Sequence, residues 1–206
     1  MFVTFEGIDG SGKTTVAKLL VERLVAKGAN AKYFKAPGHT DIGAGIRKML
    51  LNPDNNLAPN AQFFLFVADV LQLNHECRLD DGPEDNLIAI CDRYKDSTMV
   101  YQVLCTNRSP FERYLLSSTL SEFVPDPDVT VLFSVKYETA QTRLHTGEFG
   151  KKDRFEDADR VKWESRQRAY MSLPERFPER KFVVIDVNEL TAEEVVDKLL
   201  DELFML

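Results

Sequence analysis

The sequence predicts an α/β fold in which a five-stranded parallel sheet is covered by helices on both faces, in three layers. Short apolar runs rich in β-formers recur along the chain, and each is followed by a stretch with apolar residues at helical spacing. Strands separated by helices need crossover connections, which pair them in parallel and bury both faces of the sheet. The 206 residues are 44% hydrophobic and 29% charged, enough for one large core, and a single domain over 1–206 is expected.

The first strand is predicted over residues 2–6. A glycine loop follows, and then Val16, Leu19, Leu20 and Leu24 fall on one helical face. Further strands are expected at 31–34, 87–91, 129–135 and 182–185. Residues 52–60 form a turn-rich connection, with Asn60 expected to cap a helix running through Phe63, Phe64, Phe66, Val67, Val70 and Leu71. Residues 146–158 hold two glycines and seven charges with almost nothing to bury, which suits a short surface lid. Trp163 is expected to sit in the next helix and to pack against the sheet or the base of that lid.

Charge narrows the function classes. Lys plus Arg total 26 against 33 Asp plus Glu, a formal net charge of −7, which argues against broad binding to nucleic acid or to an anionic membrane. No apolar run reaches the ~18 residues of a membrane helix, and the N-terminus lacks a basic leader. A soluble cytoplasmic protein is expected, in the host cytoplasm if a virus encodes it. Cys77, Cys91 and Cys105 are an odd number at wide spacings and are expected as free thiols. His39, His75 and His145 show no metal-ligand spacing.

Residues Gly7-Ile8-Asp9-Gly10-Ser11-Gly12-Lys13-Thr14 fit G-x-x-x-x-G-K-[ST] between a predicted strand and a predicted helix. Glycines let backbone N–H groups approach phosphate oxygens, and the helix N-terminus adds partial positive charge. Lys13 then reaches the β- and γ-phosphates, and the Thr14 hydroxyl is a ligand for Mg²⁺. The loop, with Ser11 and Thr15, is expected to bind a nucleoside triphosphate with magnesium, in a fold of the P-loop NTPase type.

The remaining motifs discriminate among the functions such a loop can serve. The opening Phe5 to Thr15 resembles that of thymidylate kinases, and Cys91-Asp92-Arg93-Tyr94 through Tyr101-Gln102 resembles their second signature. Pro125 to Thr130 resembles the start of a later strand of the family, and Asp153-Arg154-Phe155-Glu156 the end of its lid. The resemblance implies ATP- and Mg²⁺-dependent phosphorylation of dTMP to dTDP, and a homodimer. It assigns Asp9 to the acceptor sugar's 3′-hydroxyl and Arg93 and Arg47 to the acceptor phosphate. Asp92 would orient that phosphate or the metal's water shell. Phe66 would stack on the base, with a core role as its competitor. Thr98 would bond the base edge, while Tyr101 would pack on the deoxyribose and exclude a 2′-hydroxyl. Pro37, Val70, Ser97 and Gln102 complete the implied acceptor site. With glycine at position 10, the resemblance assigns the catalytic positive charge to the lid region, where Arg143, Lys151, Lys152 and Arg154 are the candidates.

The sequence also departs from the family pattern. Val70 stands where an arginine usually contacts thymine, Lys35-Ala36 replaces Arg-Glu before Pro37, and Thr146 stands where many lids carry arginine. A lost hydrogen bond to a base is worth roughly 0.5–3 kcal/mol, so base choice could broaden without loss of binding. Two alternatives therefore stand beside a thymidylate kinase: a deoxynucleoside monophosphate kinase of broader base choice, and a nucleotide-binding regulatory module without turnover. A deoxynucleoside kinase fits less well, because Arg47 and Arg93 look arranged for an acceptor phosphate.

Overall fold

The computed structural model describes residues 1–77, 86–146 and 159–204. Its five strands are β1 (Phe2–Gly7), β2 (Ala31–Lys35), β3 (Ile88–Asp92), β4 (Val129–Ser134) and β5 (Phe182–Asp186), all parallel in the order β2-β3-β1-β4-β5. Each expected strand is present, displaced by a residue at most at either end. The centre of the sheet is fully enclosed: all six residues of β1 are buried, Thr4 and Glu6 included, as both-face coverage requires.

The helices follow the strands as expected. They are α1 (Lys13–Ala26), α2 (Asp41–Leu51), α3 (Pro59–Cys77), α4 (Lys95–Thr98), α5 (Pro110–Phe123), α6 (Tyr137–Thr146), α7 (Arg160–Met171), α8 (Leu173–Arg176) and α9 (Ala192–Leu199). Two π-helical segments, Met99–Leu104 and Leu200–Phe204, extend α4 and α9. Caps mark several starts. Ser109 and Glu112 form a capping box on α5 with Pro110 in its first turn, and Thr191 and Glu194 form another on α9. The expected cap at Asn60 needs correction, because α3 begins at Pro59. A proline has a fixed φ and no N–H, which suits the first helical position, and the Asn60 side chain instead accepts a hydrogen bond from Arg108 at 2.6 Å.

Two apolar layers enclose the sheet. One joins Val3, Phe5, Phe133 and Ile185 to α1 and α9, and includes Trp163, whose ring meets Tyr137 edge-on. The other joins Phe2, Phe34 and Leu132 to Phe63, Val67 and Leu73 of α3 and to Leu116 and Leu120 of α5. Ligand sites in such sheets lie beyond the carboxyl ends of the strands, and here Gly7, Lys35 and Asp92 close their strands on that side. Of the expected lid, Thr146 ends α6 and residues 147–158 lie outside the described residues. Cys91 is buried, Cys77 and Cys105 are partly buried, and all three are free.

Candidate active site

One cavity of about 770 Å³ opens at the carboxyl end of the sheet, and the residues lining it come from distant parts of the chain. Its floor is the loop between β1 and α1. Gly12 takes a left-handed conformation (φ 89°) at the N-terminus of α1, which ends at the cavity. Gly10 (φ 82°) is constrained from outside as well: a Cβ there would stand 2.6 Å from the Ala140 carbonyl oxygen of α6. No side chain fits at position 10 without moving α6, so this loop position supplies no cation.

Lys13 lies back across this loop, its Nζ donating to the Ile8 carbonyl at 2.8 Å and to Ser11 Oγ at 3.2 Å. Burial and the nearby Arg93 charge lower its pKa to about 8, against the opposing pull of Asp9 and Asp92. The Thr14 hydroxyl donates to Asp92 Oδ2, and the same oxygen accepts from the Tyr33 hydroxyl at 3.3 Å. Thr14 and Asp92 thus bring two hard oxygen donors together beside the phosphate loop.

The opposite wall turns on Arg93, held at φ 66° just after β3. Its Nη2 meets Asp9 Oδ1 at 2.5 Å, while Nη1 donates to Ser97 Oγ at 2.9 Å and to the Tyr170 hydroxyl at 3.2 Å. Burial pushes the Asp9 carboxyl upward, but the Arg93 and Lys13 charges prevail and hold it below its ordinary value. Beneath this pair lies Glu6, buried in β1, which accepts from the Tyr94 amide at 2.7 Å and from the Ser97 amide at 3.2 Å. The Ser97 hydroxyl donates to its other oxygen at 2.6 Å. Burial, with the Asp96 charge adding to it, raises Glu6 to about 7. Glu6 therefore braces from below the turn that presents Arg93.

Arg47 of α2 donates to the Pro37 carbonyl at 2.9 Å, at the turn where the Ala36-Pro37 bond is cis. Asp69 of α3 accepts the Gly38 amide at 2.9 Å; its other carboxyl oxygen has no hydrogen-bond partner among the described residues, and burial raises this acid to about 6. Phe66 and Val70 line the same wall one helical turn apart, with Ser97, Thr98, Tyr101 and Gln102 across from them.

Among the described residues, every candidate from the sequence except Gly7 lines this one cavity. Gly7 lies at the end of β1, packed against Phe133. Lys151, Lys152 and Arg154 fall outside the described residues. Arg143, grouped with the lid from the sequence, stands on α6 with a guanidinium nitrogen near Gly12, and it donates to the Val187 carbonyl at 2.6 Å. Sequence reasoning missed Tyr33, Asp69, Glu6 and Tyr170. A glutamate inside an apolar strand just before the glycine loop was a signal for Glu6, whereas nothing local marked Tyr170. It also missed the cavity's far end, where Val187, Leu190 and Val195 form an apolar wall beside the phosphate loop.

Comparison with known proteins identifies the chain's relatives. The family model described as thymidylate kinase matches residues 5–199. A thymidylate kinase from an Exiguobacterium species is 34% identical over 207 residues, covering 98% of this chain and 92% of its own length. One from Desulfosudis oleivorans is 34% identical over 200 residues, covering 94% and 92%. The solved structure of a thymidylate kinase from Candida albicans shares the fold, with a TM-score of 0.77, 23% identity, and coverage of 97% of this chain and 88% of that one. The chain belongs to the thymidylate kinase family.

Proposed function

We propose that the protein transfers the γ-phosphoryl of ATP to the 5′-phosphate of dTMP, forming dTDP and ADP. The observation that carries this reading is the shared cavity, with a phosphate loop on its floor and two arginines, Arg47 and Arg93, facing it from separate elements. The apolar wall at Val187, Leu190 and Val195 suits the donor base. Phe66 suits stacking of the acceptor base, and Asp9 beside Tyr101 suits a sugar that offers a 3′-hydroxyl and no 2′-hydroxyl.

The residues also fit a magnesium ion. Mg²⁺ takes one or two protein oxygens and completes its shell with phosphate and water, as Thr14 and Asp92 would allow. Among the described residues no cluster of three acidic, His or Cys groups offers an all-protein cage. When bound, the ion neutralises charge on the phosphates. The rest falls to the chain. Lys13 leaves its internal acceptors for phosphate oxygens, and Arg93 and Arg47 orient the acceptor phosphate in line. An acceptor oxygen forms the new bond to the γ-phosphorus as the bond to the bridging oxygen breaks. The acceptor phosphate is already anionic, so positioning and charge neutralisation suffice and no strong base is needed. Arg143, Lys151, Lys152 and Arg154 are the proposed cations for the transferring group, in a single domain whose lid spans 146–158.

A coupled ADP-release assay with Mg²⁺-ATP against dTMP, dUMP, dGMP, dCMP, dAMP and thymidine tests the reading, with Lys13→Ala as the blank. A wide lead for dTMP is expected. Turnover of thymidine alone would remove the phosphate roles of Arg47 and Arg93, and ATP binding without any transfer would favour a regulatory module. Val70 supports a second reading, broader base choice, since it lines the base wall without any hydrogen-bonding group. Comparable rates on several monophosphates would establish it.

A homodimer is also proposed. It is supported by the exposed Phe111, Tyr114, Leu115 and Phe123 of α5, and light scattering tests it. A cytoplasmic location is proposed as well; no helix among the described residues is long and apolar enough to cross a membrane.

A further inference from the structure

The Tyr101 ring lies in a setting that the proposed reaction leaves unexplained. It stands on the π-helical turn Met99–Leu104, and such turns inside helices recur at functional sites. Its hydroxyl reaches Asp9 only at 3.4 Å, and its contact with the Tyr170 ring is edge-on at 6.4 Å. Neither contact fixes the ring closely. Two guanidiniums do more: Arg93 at 5.6 Å from the ring centroid and, closer, Arg166 of α7 at 4.5 Å. Arg93 is already committed to Asp9, Ser97 and Tyr170. Arg166 is half-buried on a helix that packs beside this turn, and among the described residues it is not one of those lining the cavity.

We propose that Arg166 is a specificity-determining positioning residue: it stacks on Tyr101 and fixes where that ring meets the acceptor's sugar. This inference rests on the proposed reading in which Tyr101 excludes a 2′-hydroxyl. Rejection of one added hydroxyl is a steric effect that works only while the ring stays in place. A tyrosine that packs at the edge of the apolar layer, with one long hydroxyl contact to Asp9 and an edge contact to Tyr170, keeps freedom to tilt by a fraction of an ångström, enough to admit the extra oxygen. A guanidinium stacked on the ring removes that freedom without touching the substrate. Loss of Arg166 therefore lowers discrimination more than it lowers transfer.

The test compares kcat/KM for dTMP with that for the ribose analogue, 5-methyluridine 5′-monophosphate, in the full chain. Arg166→Met keeps apolar bulk and removes the cation; Arg166→Lys keeps a cation and serves as the second variant if the first folds poorly, as judged by circular dichroism. Arg166→Met is expected to lower the deoxy-to-ribo ratio about three- to tenfold, with Arg166→Lys recovering part of it. In a Tyr101→Leu background, Arg166→Met should add nothing further. Equal losses on both substrates would assign Arg166 to stability alone and overturn the inference. An unchanged ratio in Arg166→Met, with a lowered ratio in Tyr101→Leu, would also overturn it and leave the proposed reaction standing. Failure of the wild-type chain to phosphorylate any deoxynucleotide would overturn the reaction and the inference together.

Discussion

The phosphate loop and the proposed acceptor wall share one cavity but are assembled differently. The loop is contiguous: residues 7 to 15 supply its glycines, lysine and hydroxyls, and the strand before it and the helix after it set its shape. That wall gathers Asp9, Pro37, Arg47, Phe66, Asp69, Arg93 and Tyr101 from separate elements, and it is held by side chains further back, such as Glu6 and Tyr170. A local site needs only its own sequence and tolerates little change. A distributed site spreads its function over many contacts, so single changes there tune it rather than abolish it.

The largest expected effect tests the local side. Lys13→Ala should lower kcat by about 10³-fold or more, since one preorganised charge at a transferring phosphoryl is removed, and single-turnover kinetics would measure this. Next, Gly10→Ala should cost about 2–4 kcal/mol of stability in urea denaturation. It combines a left-handed φ with a Cβ only 2.6 Å from the Ala140 carbonyl. A stable Gly10→Ala chain would mean that α6 yields, and the contrast between the two sides would weaken.

Glu6→Gln probes the support of the acceptor wall through pH. Glu6 is raised to about 7 in the folded chain from 4.5, so between those values the folded state holds more protons than the unfolded state. The stability this provides is fully present below about 4.5 and is lost as pH rises through about 7. The wild type should therefore lose on the order of 1–3 kcal/mol relative to Glu6→Gln between pH 5 and 7.5, measured as a difference in urea midpoints. Parallel pH profiles would show that Glu6 is ionised throughout.

The smallest effect belongs to base choice. Val70→Arg should sharpen preference for dTMP over other deoxynucleoside monophosphates by about tenfold or less, read as a ratio of kcat/KM. No change would mean that base selection rests on other residues of that wall, such as Gln102 or Asp69.

How far each part was legible follows from the same contrast. The central strands appear in the sequence as apolar runs because both their faces are covered, while the edge strands β2 and β5 alternate buried and exposed residues and are found from shorter runs. The loop was legible because glycines, lysine and threonine stand at fixed intervals for one backbone shape. Residues of the acceptor wall were named from motif resemblance, and their mutual placement was not visible. Arg143 shows the same limit: it belongs to a regular helix and reaches the cavity beside Gly12 of the phosphate loop, which neither its spacing nor its neighbours in sequence indicate.

By itself, the sequence determined the order of strands and helices, the phosphate loop and the chemical character of the cavity's residues. These depend on local periodicity and on conformations that particular residues require. Only the tertiary structure decided that α6 excludes any side chain at Gly10, that Glu6 braces the turn carrying Arg93, and that Arg166 stacks behind Tyr101. Those relations join residues far apart in the chain, and distances between them exist only once the sheet has set the helices around it.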